Sequence, residues 1–132
     1  MSRTLVLDSE GLSLLVRDDR TMVARVAAAA KHDARVLVSS VTLVEARSPA
    51  TAQARFDWTV SRLKVEPVSE PIARHASKLL AAAKLHGHRY AIDAIVCATA
   101  LSQAGPVSVL TSDVEDVRTL VADHPRLTAI KV

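Results

Sequence analysis

The sequence predicts an α/β protein, a three-layer α/β/α domain with a mostly parallel central sheet. Short Val-rich runs alternate with Ala-rich stretches of helical length along the 132 residues. Phe, Trp and Tyr occur once each, so the core must be built from Ala, Val, Leu and Ile. Strands separated by helical segments indicate parallel crossovers, which place helices on both faces of a sheet. No repeat or linker divides the chain, so we expect a single domain over residues 1–132.

The strands are predicted from short apolar runs. In chain order they are residues 5–7, 35–38, 64–68, 107–110 and 127–132. The third contains Pro67, which cannot donate a hydrogen bond to a neighbouring strand, and is therefore expected near an edge of the sheet.

Four helices are predicted in the first half of the chain, over residues 12–16, 22–32, 41–46 and 50–63. The second has apolar residues at helical spacing on one face: Met22, Val23, Val26, Ala27 and Ala30. Ser39 and Ser40 are suitable N-cap residues for the third. Pro49 interrupts the chain before the fourth, which carries Phe56 and Trp58.

Three helices are predicted in the second half. Ser69 and Pro71 mark the start of the first, which Gly87 is expected to end. One face of this helix is apolar: Ile72, Ala76, Leu79, Leu80 and Ala83. The next contains residues 91–101 and closes at Gly105 and Pro106. Residues 111–113 open the last, which continues through residues 120–121.

Composition favours a soluble cytoplasmic protein. The single cysteine, Cys97, excludes an internal disulfide framework and is expected to be a buried, inert thiol in an apolar helix. Met1 to Thr4 lead directly into the first strand without a signal-peptide core, and no apolar run approaches the ~20 residues of a membrane helix. The formal net charge of +3 suits a polyanion-binding surface if several carboxylates are collected in one cleft.

Asp93 is the most informative residue, because it is the only charge in the helical segment 91–101. Burying a carboxylate without a partner costs several kcal/mol. Three more acids, Asp8, Glu45 and Asp113, each follow a predicted strand. The carboxyl ends of parallel strands meet at one edge of the sheet, so these four acids are expected to converge there. Converging carboxylates raise each other's pKa and require a cation, and Mg²⁺ or Mn²⁺ prefers such oxygen ligands.

Each acid also has an ordinary structural interpretation. Asp8 could be a turn residue or helix cap, and Glu45 a solvated helix residue. Asp113 could be an N-cap, and Ser112 with Glu115 has the spacing of a capping box. The four acids taken together favour a site.

At these residues the sequence resembles the PIN-domain ribonucleases, and within them the VapC-type toxins of bacterial toxin–antitoxin pairs. The resemblance is carried by four motifs in order, residues 5–9, 39–46, 91–100 and 110–113, which contain Asp8, Glu45, Asp93 and Asp113 respectively. Any one motif is weak, but four in order, spread over nearly the whole chain, are fairly specific.

The resemblance implies a Mg²⁺- or Mn²⁺-dependent endoribonuclease with Asp8, Glu45, Asp93 and Asp113 as its catalytic and metal-binding acids. It also implies RNA as substrate, a homodimer, and a cognate VapB-type antitoxin whose C-terminal segment covers the active-site groove in a toxin–antitoxin hetero-oligomer.

Other polar residues lie close to these motifs. Ser9, Thr111 and Ser112 are candidate hydrogen-bonding supports for the carboxylates or the scissile phosphate, or simply helix caps. Glu10, Glu115 and Asp116 are left out of the core site, because first-turn acids are favoured by the helix dipole. His86, His88 and Arg89 are interpreted as a polar connection between helices, with contact to RNA phosphates as the alternative.

Two other function classes remain open. An aspartyl phosphotransfer domain, such as a receiver or a haloacid-dehalogenase-like phosphatase, lacks support, because Asp8-Ser9-Glu10 does not have paired aspartates at alternate positions. A non-catalytic PIN-like protein-binding module would show no metal-dependent cleavage, and the presence of all four acids argues against it.

Overall fold

The structure is a computed structural model that describes residues 3–132. Met1 and Ser2, part of the N-terminus for which no leader was expected, lie outside the described residues. The central sheet has five strands in the order β3-β2-β1-β4-β5, and every neighbouring pair is parallel. The strands are β1 (Thr4–Leu7), β2 (Arg35–Ser39), β3 (Lys64–Glu66), β4 (Val107–Thr111) and β5 (Leu127–Lys131). The predicted strands and the edge position of the third are confirmed.

Seven helices cover the sheet within residues 3–132. They are α1 (Ser9–Val16), α2 (Arg20–Lys31), α3 (Ser40–Ala46), α4 (Gln53–Ser61), α5 (Glu70–Ala83), α6 (Gly87–Leu101) and α7 (Val114–Leu120). Side chains at several helix starts explain where these helices begin. Asp19 accepts the Met22 N–H at 3.0 Å, and the predicted caps Ser39 and Ser69 accept N–H groups of α3 and α5 at 3.3 Å.

Two apolar cores lie on opposite faces of the sheet, which confirms the three-layer α/β/α architecture. One contains Val6, Leu37 and Val109 together with residues of α5, α6 and α7. The other contains Leu7 and Val38 together with residues of α1, α2, α3 and α4. Successive strand residues point to opposite faces, so alternate residues of each apolar run supply the two cores.

The position of β1 explains where a site can form. Val6 aligns with Leu37 of β2 on one side and with Val109 of β4 on the other. The chain runs from β1 to β2 and β3 on one side of β1 and then crosses to β4 and β5 on the other side, and this reversal of the strand order creates a crevice at the carboxyl ends of the central strands. Asp8 follows β1 and Asp113 follows β4, so both acids lie at this crevice.

The prediction that Gly87 ends α5 is wrong. That helix ends at Lys84, which adopts the left-handed conformation usually given to glycine (φ 57°). Gly87 is the first residue of α6, and His86 precedes it as the N-cap, with its Nδ1 accepting the His88 N–H at 3.3 Å. The polar connection expected around His86 and His88 is therefore the capped start of α6.

The structure also differs from the sequence-based expectations in the helices α2 and α4. Helix α4 begins at Gln53 rather than at residue 50. The Arg47 guanidinium donates to the carbonyls of Ser48 and Thr51 and thereby holds the preceding segment as a turn. On α2 the buried residues are Met22 and Ala29, while Val23 is 40% exposed.

Cys97 is fully buried, as expected, and burial raises the pKa of its thiol to about 12. Within residues 3–132, no helix is both long enough and apolar enough to span a bilayer.

Candidate active site

A cleft of about 230 Å³ opens at the carboxyl ends of β1 and β4. All four acids singled out in the sequence line it, together with a fifth, Asp116. The lining residues are Asp8, Ser9, Glu45, Arg89, Tyr90, Ile92, Asp93, Asp113 and Asp116. The expected convergence of the four acids is therefore observed in the fold.

Asp8 is held in place by the start of α1. It is buried, with 6% exposure, and its Oδ1 accepts the Gly11 N–H at 2.9 Å. Burial raises the pKa of this carboxyl, while hydrogen bonds from Gly11, the Thr111 side chain and the Ser112 backbone oppose that rise. The cap interpretation and the site interpretation of Asp8 are thus compatible, since one carboxylate both caps the helix and lines the cleft.

Close packing under Asp8 fixes the start of α1 on the sheet. The Asp8 N–H donates to the Leu110 carbonyl at 3.1 Å. A Cβ at Gly11 would lie 3.2 Å from that same carbonyl oxygen, so glycine permits the close approach of α1 to β4. The two strands that carry Asp8 and Asp113 are therefore joined directly beside the cleft.

Asp113 occupies the N-cap position of α7, but its side chain makes no capping hydrogen bond. The N-cap position expected for Asp113 is therefore observed, but its side chain does not cap the helix, and Ser112 is not the N-cap that a capping box with Glu115 would need. The Asp113 backbone N–H donates instead to the Thr111 hydroxyl at 2.8 Å. The Asp113 carboxylate is exposed and accepts no hydrogen bond from its own helix. Its oxygens are therefore free to bind a ligand in the cleft.

Asp93 lies in the second turn of α6, partly buried and surrounded by other acids. Burial first, and then the negative charges of Asp113, Asp116, Asp8 and Glu45, raise the pKa of its carboxyl from 3.8 to about 6. An acid that resists ionisation for these reasons is one that a cation would stabilise.

Asp116 is part of the acidic cluster, although sequence reasoning left it outside the core site. Carboxylate oxygens of Asp93, Asp113 and Asp116 all lie within 4.8 Å of one another. Asp113 and Asp116 are three residues apart, a spacing that brings side chains to the same side of a helix. The spacing is visible in the sequence, but by itself it does not distinguish Asp116 from a solvated acid in the first turn of a helix.

The donor set fits a hard divalent cation. Mg²⁺ and Mn²⁺ are bound by carboxylate oxygens and retain several waters, so a solvent-accessible group of aspartates suits them. Asp8 and Glu45 line the same cleft outside the 4.8 Å group, and Glu45 is exposed.

The other nearby acids have ordinary surface roles. Glu10 forms an exposed ion pair with Arg17 at 3.5 Å, and Glu115 forms one with Arg118 at 3.1 Å. Neither is among the residues that line the acidic cleft. Leaving Glu10 and Glu115 out of the site agrees with these contacts.

A sequence model of the PIN domain matches residues 5–118. A comparison with curated protein sequences finds no significant match. Among solved structures, this chain is similar to a chain in the crystal structure of VapBC2 from Rickettsia felis bound to a promoter DNA fragment. The TM-score is 0.72, the sequence identity is 16%, and the alignment covers 98% of each chain. It is also similar to one in DNA-bound VapBC from Salmonella typhimurium, with a TM-score of 0.71, 19% identity and coverage of 99% of this chain and 98% of the other.

A third similar structure is a toxin–antitoxin complex from Klebsiella pneumoniae, with a TM-score of 0.69, 20% identity and coverage of 97% of this chain and 99% of the other. At these identities the structural likeness establishes the fold, and the sequence match over residues 5–118 establishes the family. The chain belongs to the PIN-domain family.

Proposed function

We propose that this chain is a VapC-type toxin, a metal-dependent endoribonuclease that hydrolyses RNA phosphodiester bonds in the cytoplasm. Membership of the PIN-domain family implies a nuclease. The proposal rests on one observation above all: five carboxylates line a single cleft, and their mutual repulsion and burial raise the pKa of Asp93 to about 6. A cleft of this kind is suited to a cation and a phosphate rather than to an apolar ligand.

The acids would share the work of holding the metal. The carboxylates of Asp93, Asp113 and Asp116 lie closest to one another, and those of Asp8 and Glu45 complete the acidic lining of the cleft. A bound Mg²⁺ or Mn²⁺ would supply positive charge for the phosphodiester and a place for the attacking water. The Gly11 N–H holds the carboxylate of Asp8 by a hydrogen bond at 2.9 Å, so this acid needs little reorganisation when substrate arrives.

The products follow from a water nucleophile. Its oxygen bonds to phosphorus opposite the leaving 3′-oxygen, the P–O3′ bond breaks, and the leaving oxygen takes up a proton. We therefore expect 5′-phosphate and 3′-hydroxyl ends, with no 2′,3′-cyclic phosphate.

The partners are also part of the proposal. The similar structures are described as VapBC or toxin–antitoxin complexes. By analogy, we propose a VapB-type antitoxin as the inhibitor of this chain, a homodimer as its own oligomeric state, and a hetero-oligomer of the two proteins.

The test is RNA cleavage by the purified, antitoxin-free chain. Cellular RNA should be cut with Mg²⁺ or Mn²⁺ and not after addition of a chelator. Asp93→Asn should abolish cleavage while circular dichroism shows an intact fold. Glu70→Gln is the matched control, because Glu70 is an exposed acid paired with Arg74 outside the cleft, and it should retain activity.

Undiminished cleavage by Asp93→Asn would refute the assignment. Absence of metal-dependent cleavage by the wild-type chain on cellular RNA, together with retained binding of the antitoxin, would favour a non-catalytic binding module. Radiolabelled phosphoryl transfer to a single aspartate would favour a phosphotransfer domain.

A further inference from the structure

A second depression adjoins the acidic cleft. Its volume is about 390 Å³, and it is lined by Ser112, Asp113, Val114, Glu115, Asp116 and Lys131. It shares Asp113 and Asp116 with the first cleft. These two acids therefore form the boundary between two neighbouring depressions, each of which contains a basic side chain.

Arg89 is the basic side chain of the acidic cleft. It lies in the first turn of α6 and is exposed. Its guanidinium carbon is 5.3 Å from the centroid of the Tyr90 ring, which also lines the cleft. A cation–π contact limits the rotamers of the Arg89 side chain, which lowers the entropy cost of binding a ligand.

Lys131 is the basic side chain of the second depression. It is the last residue of β5, and its Nζ donates to the Ser112 carbonyl at 2.7 Å. An ammonium group has three N–H donors, so two remain for another acceptor. Like Arg89, Lys131 is held in position by a neighbour that is not an acid.

Neither cation is neutralised by an ion pair among residues 3–132. The ion pairs formed there involve other residues: Glu10, Arg17, Asp18, Arg55, Lys64, Glu66, Glu70, Arg74, Glu115 and Arg118. Arg89 and Lys131 therefore carry full charges on the two sides of a group of acids that would otherwise repel a polyanion.

We propose that Arg89 and Lys131 bind the phosphates on either side of the scissile one, so that a single RNA strand crosses the acidic cluster from one cation to the other. The inference rests on the proposed nuclease function and adds the path of the substrate. The two depressions meet at Asp113 and Asp116, so a single strand that passes from one to the other crosses these acids. Recognition by backbone charge alone would make this part of the binding independent of sequence.

The path can be tested by the salt dependence of RNA binding. Asp93→Asn serves as a parent that does not cut, and its binding to a short, labelled single-stranded RNA of mixed sequence is measured by fluorescence anisotropy over a series of KCl concentrations. Each lost phosphate contact on a single strand should reduce the slope of log K against log [salt] by about 0.7. We expect this change for Arg89→Gln and for Lys131→Gln, and about 1.4 for the double variant, with several-fold weaker binding each time.

The controls separate this role from simpler ones. Arg20→Gln and Lys78→Gln remove the same charges at exposed positions outside both depressions and should have a smaller effect on the slope. Glutamine at position 131 retains an N–H donor for the Ser112 carbonyl, so a role limited to anchoring that loop would leave the slope unchanged. Lys131→Arg should restore the slope.

Equal slopes for the cleft variants and the two controls would overturn the inference, as would a parent that shows no salt-dependent binding. Asp93-dependent cleavage by the wild-type chain combined with unchanged slopes would refute the path and retain the nuclease. Salt-dependent binding that needs both cations, without cleavage by the wild-type chain, would refute the nuclease and retain the path.

Discussion

The Thr111 hydroxyl accepts the backbone N–H of Asp113 at 2.8 Å, and the same side chain lowers the pKa of the Asp8 carboxyl. One threonine therefore connects the acid that follows β1 with the acid that follows β4. Because a hydroxyl both donates and accepts, it can serve the two partners at once. A β-branched side chain is also stiff about χ1, which suits this bridging position at the end of a strand.

Thr111→Val should therefore impair the site more than its small change in shape suggests. Loss of the hydroxyl removes a polar group that lowers the pKa of Asp8 and leaves the Asp113 N–H without its acceptor. We expect a loss of about 1–2 kcal/mol in the free energy of unfolding and an acid limb of the pH–rate profile at higher pH. Thr111→Ser keeps the hydroxyl and should retain the wild-type profile. Identical pH–rate profiles for Thr111→Val and Thr111→Ser would show that the hydroxyl does not affect the site.

Asp93→Asn should stabilise the metal-free protein at pH 7. The folded-state pKa of about 6 lies above the unfolded value of 3.8, so the penalty from Asp93 is absent below pH ~4, grows as the pH rises, and is complete above pH ~6. Partial exposure and solvent screening reduce this penalty to about 1 kcal/mol. Chemical denaturation at pH 7 and pH 4 measures it, with Asp123→Asn as an exposed control outside the cleft. If Asp93→Asn were less stable than the wild type at pH 7, burial and repulsion would not be the cause of the raised Asp93 pKa.

Divalent metal should bind more weakly at pH 5 than at pH 7. Below a pKa of about 6 the Asp93 carboxyl is protonated, and a cation must displace that proton to bind there. Titration calorimetry with Mn²⁺ at the two pH values should show weaker affinity and proton release at pH 5. The thermal midpoint should rise with Mn²⁺ at pH 7, since a ligand that binds only the folded state stabilises it. Equal affinity at both pH values would exclude Asp93 as a ligand.

Asp116→Asn should weaken Mn²⁺ binding, whereas Glu115→Gln should not. Asp116 contributes a carboxylate oxygen to the group within 4.8 Å, while the neighbouring Glu115 is directed to Arg118. We expect a loss of about tenfold or more in Mn²⁺ affinity for the first variant. Equal effects of the two changes would mean that only the general negative charge of α7 matters.

Thr42→Val should stabilise the fold. The Thr42 hydroxyl on α3 is fully buried and has no hydrogen-bond partner. Valine has nearly the same shape without the unsatisfied oxygen, so the free energy of unfolding should rise by about 1 kcal/mol. Thr59→Val is the matched control, because the Thr59 hydroxyl is buried on α4 but donates to the Arg55 carbonyl at 2.9 Å. Denaturant unfolding of both variants would show whether Thr42→Val raises the free energy of unfolding while Thr59→Val lowers it.

The arrangement of strands and the four acids was readable in the sequence because each depends on local pattern. A carboxylate after a Val-rich run, or alone in an apolar helix, leaves a clear signal at Asp8, Asp113 and Asp93. Asp116 was missed because, in sequence, a site acid and a solvated first-turn acid look alike. Only the orientation of α7 distinguishes it from Glu115.

Tertiary contacts account for the remaining errors. Glycine is the usual helix terminator, so Gly87 was read as the end of α5, whereas Lys84 adopts the left-handed conformation there. The late start of α4 depends on the contacts of a single guanidinium, that of Arg47, with loop carbonyls. Such competition between a side chain and the helix leaves no periodic trace in the sequence.

The order of the strands has a consequence for the time at which the site forms. Strand β1 pairs with β4, which comes late in the chain, and the last acid of the cleft is Asp116. Translation releases the chain from its N-terminus, and distant parallel pairing is slow to form. In a growing chain, Asp8 and Glu45 are therefore made before Asp93, Asp113 and Asp116, and the cleft cannot form until those later acids are present. On the proposed function, a ribosome that makes this protein meets no complete nuclease until the residues up to Asp116 have emerged.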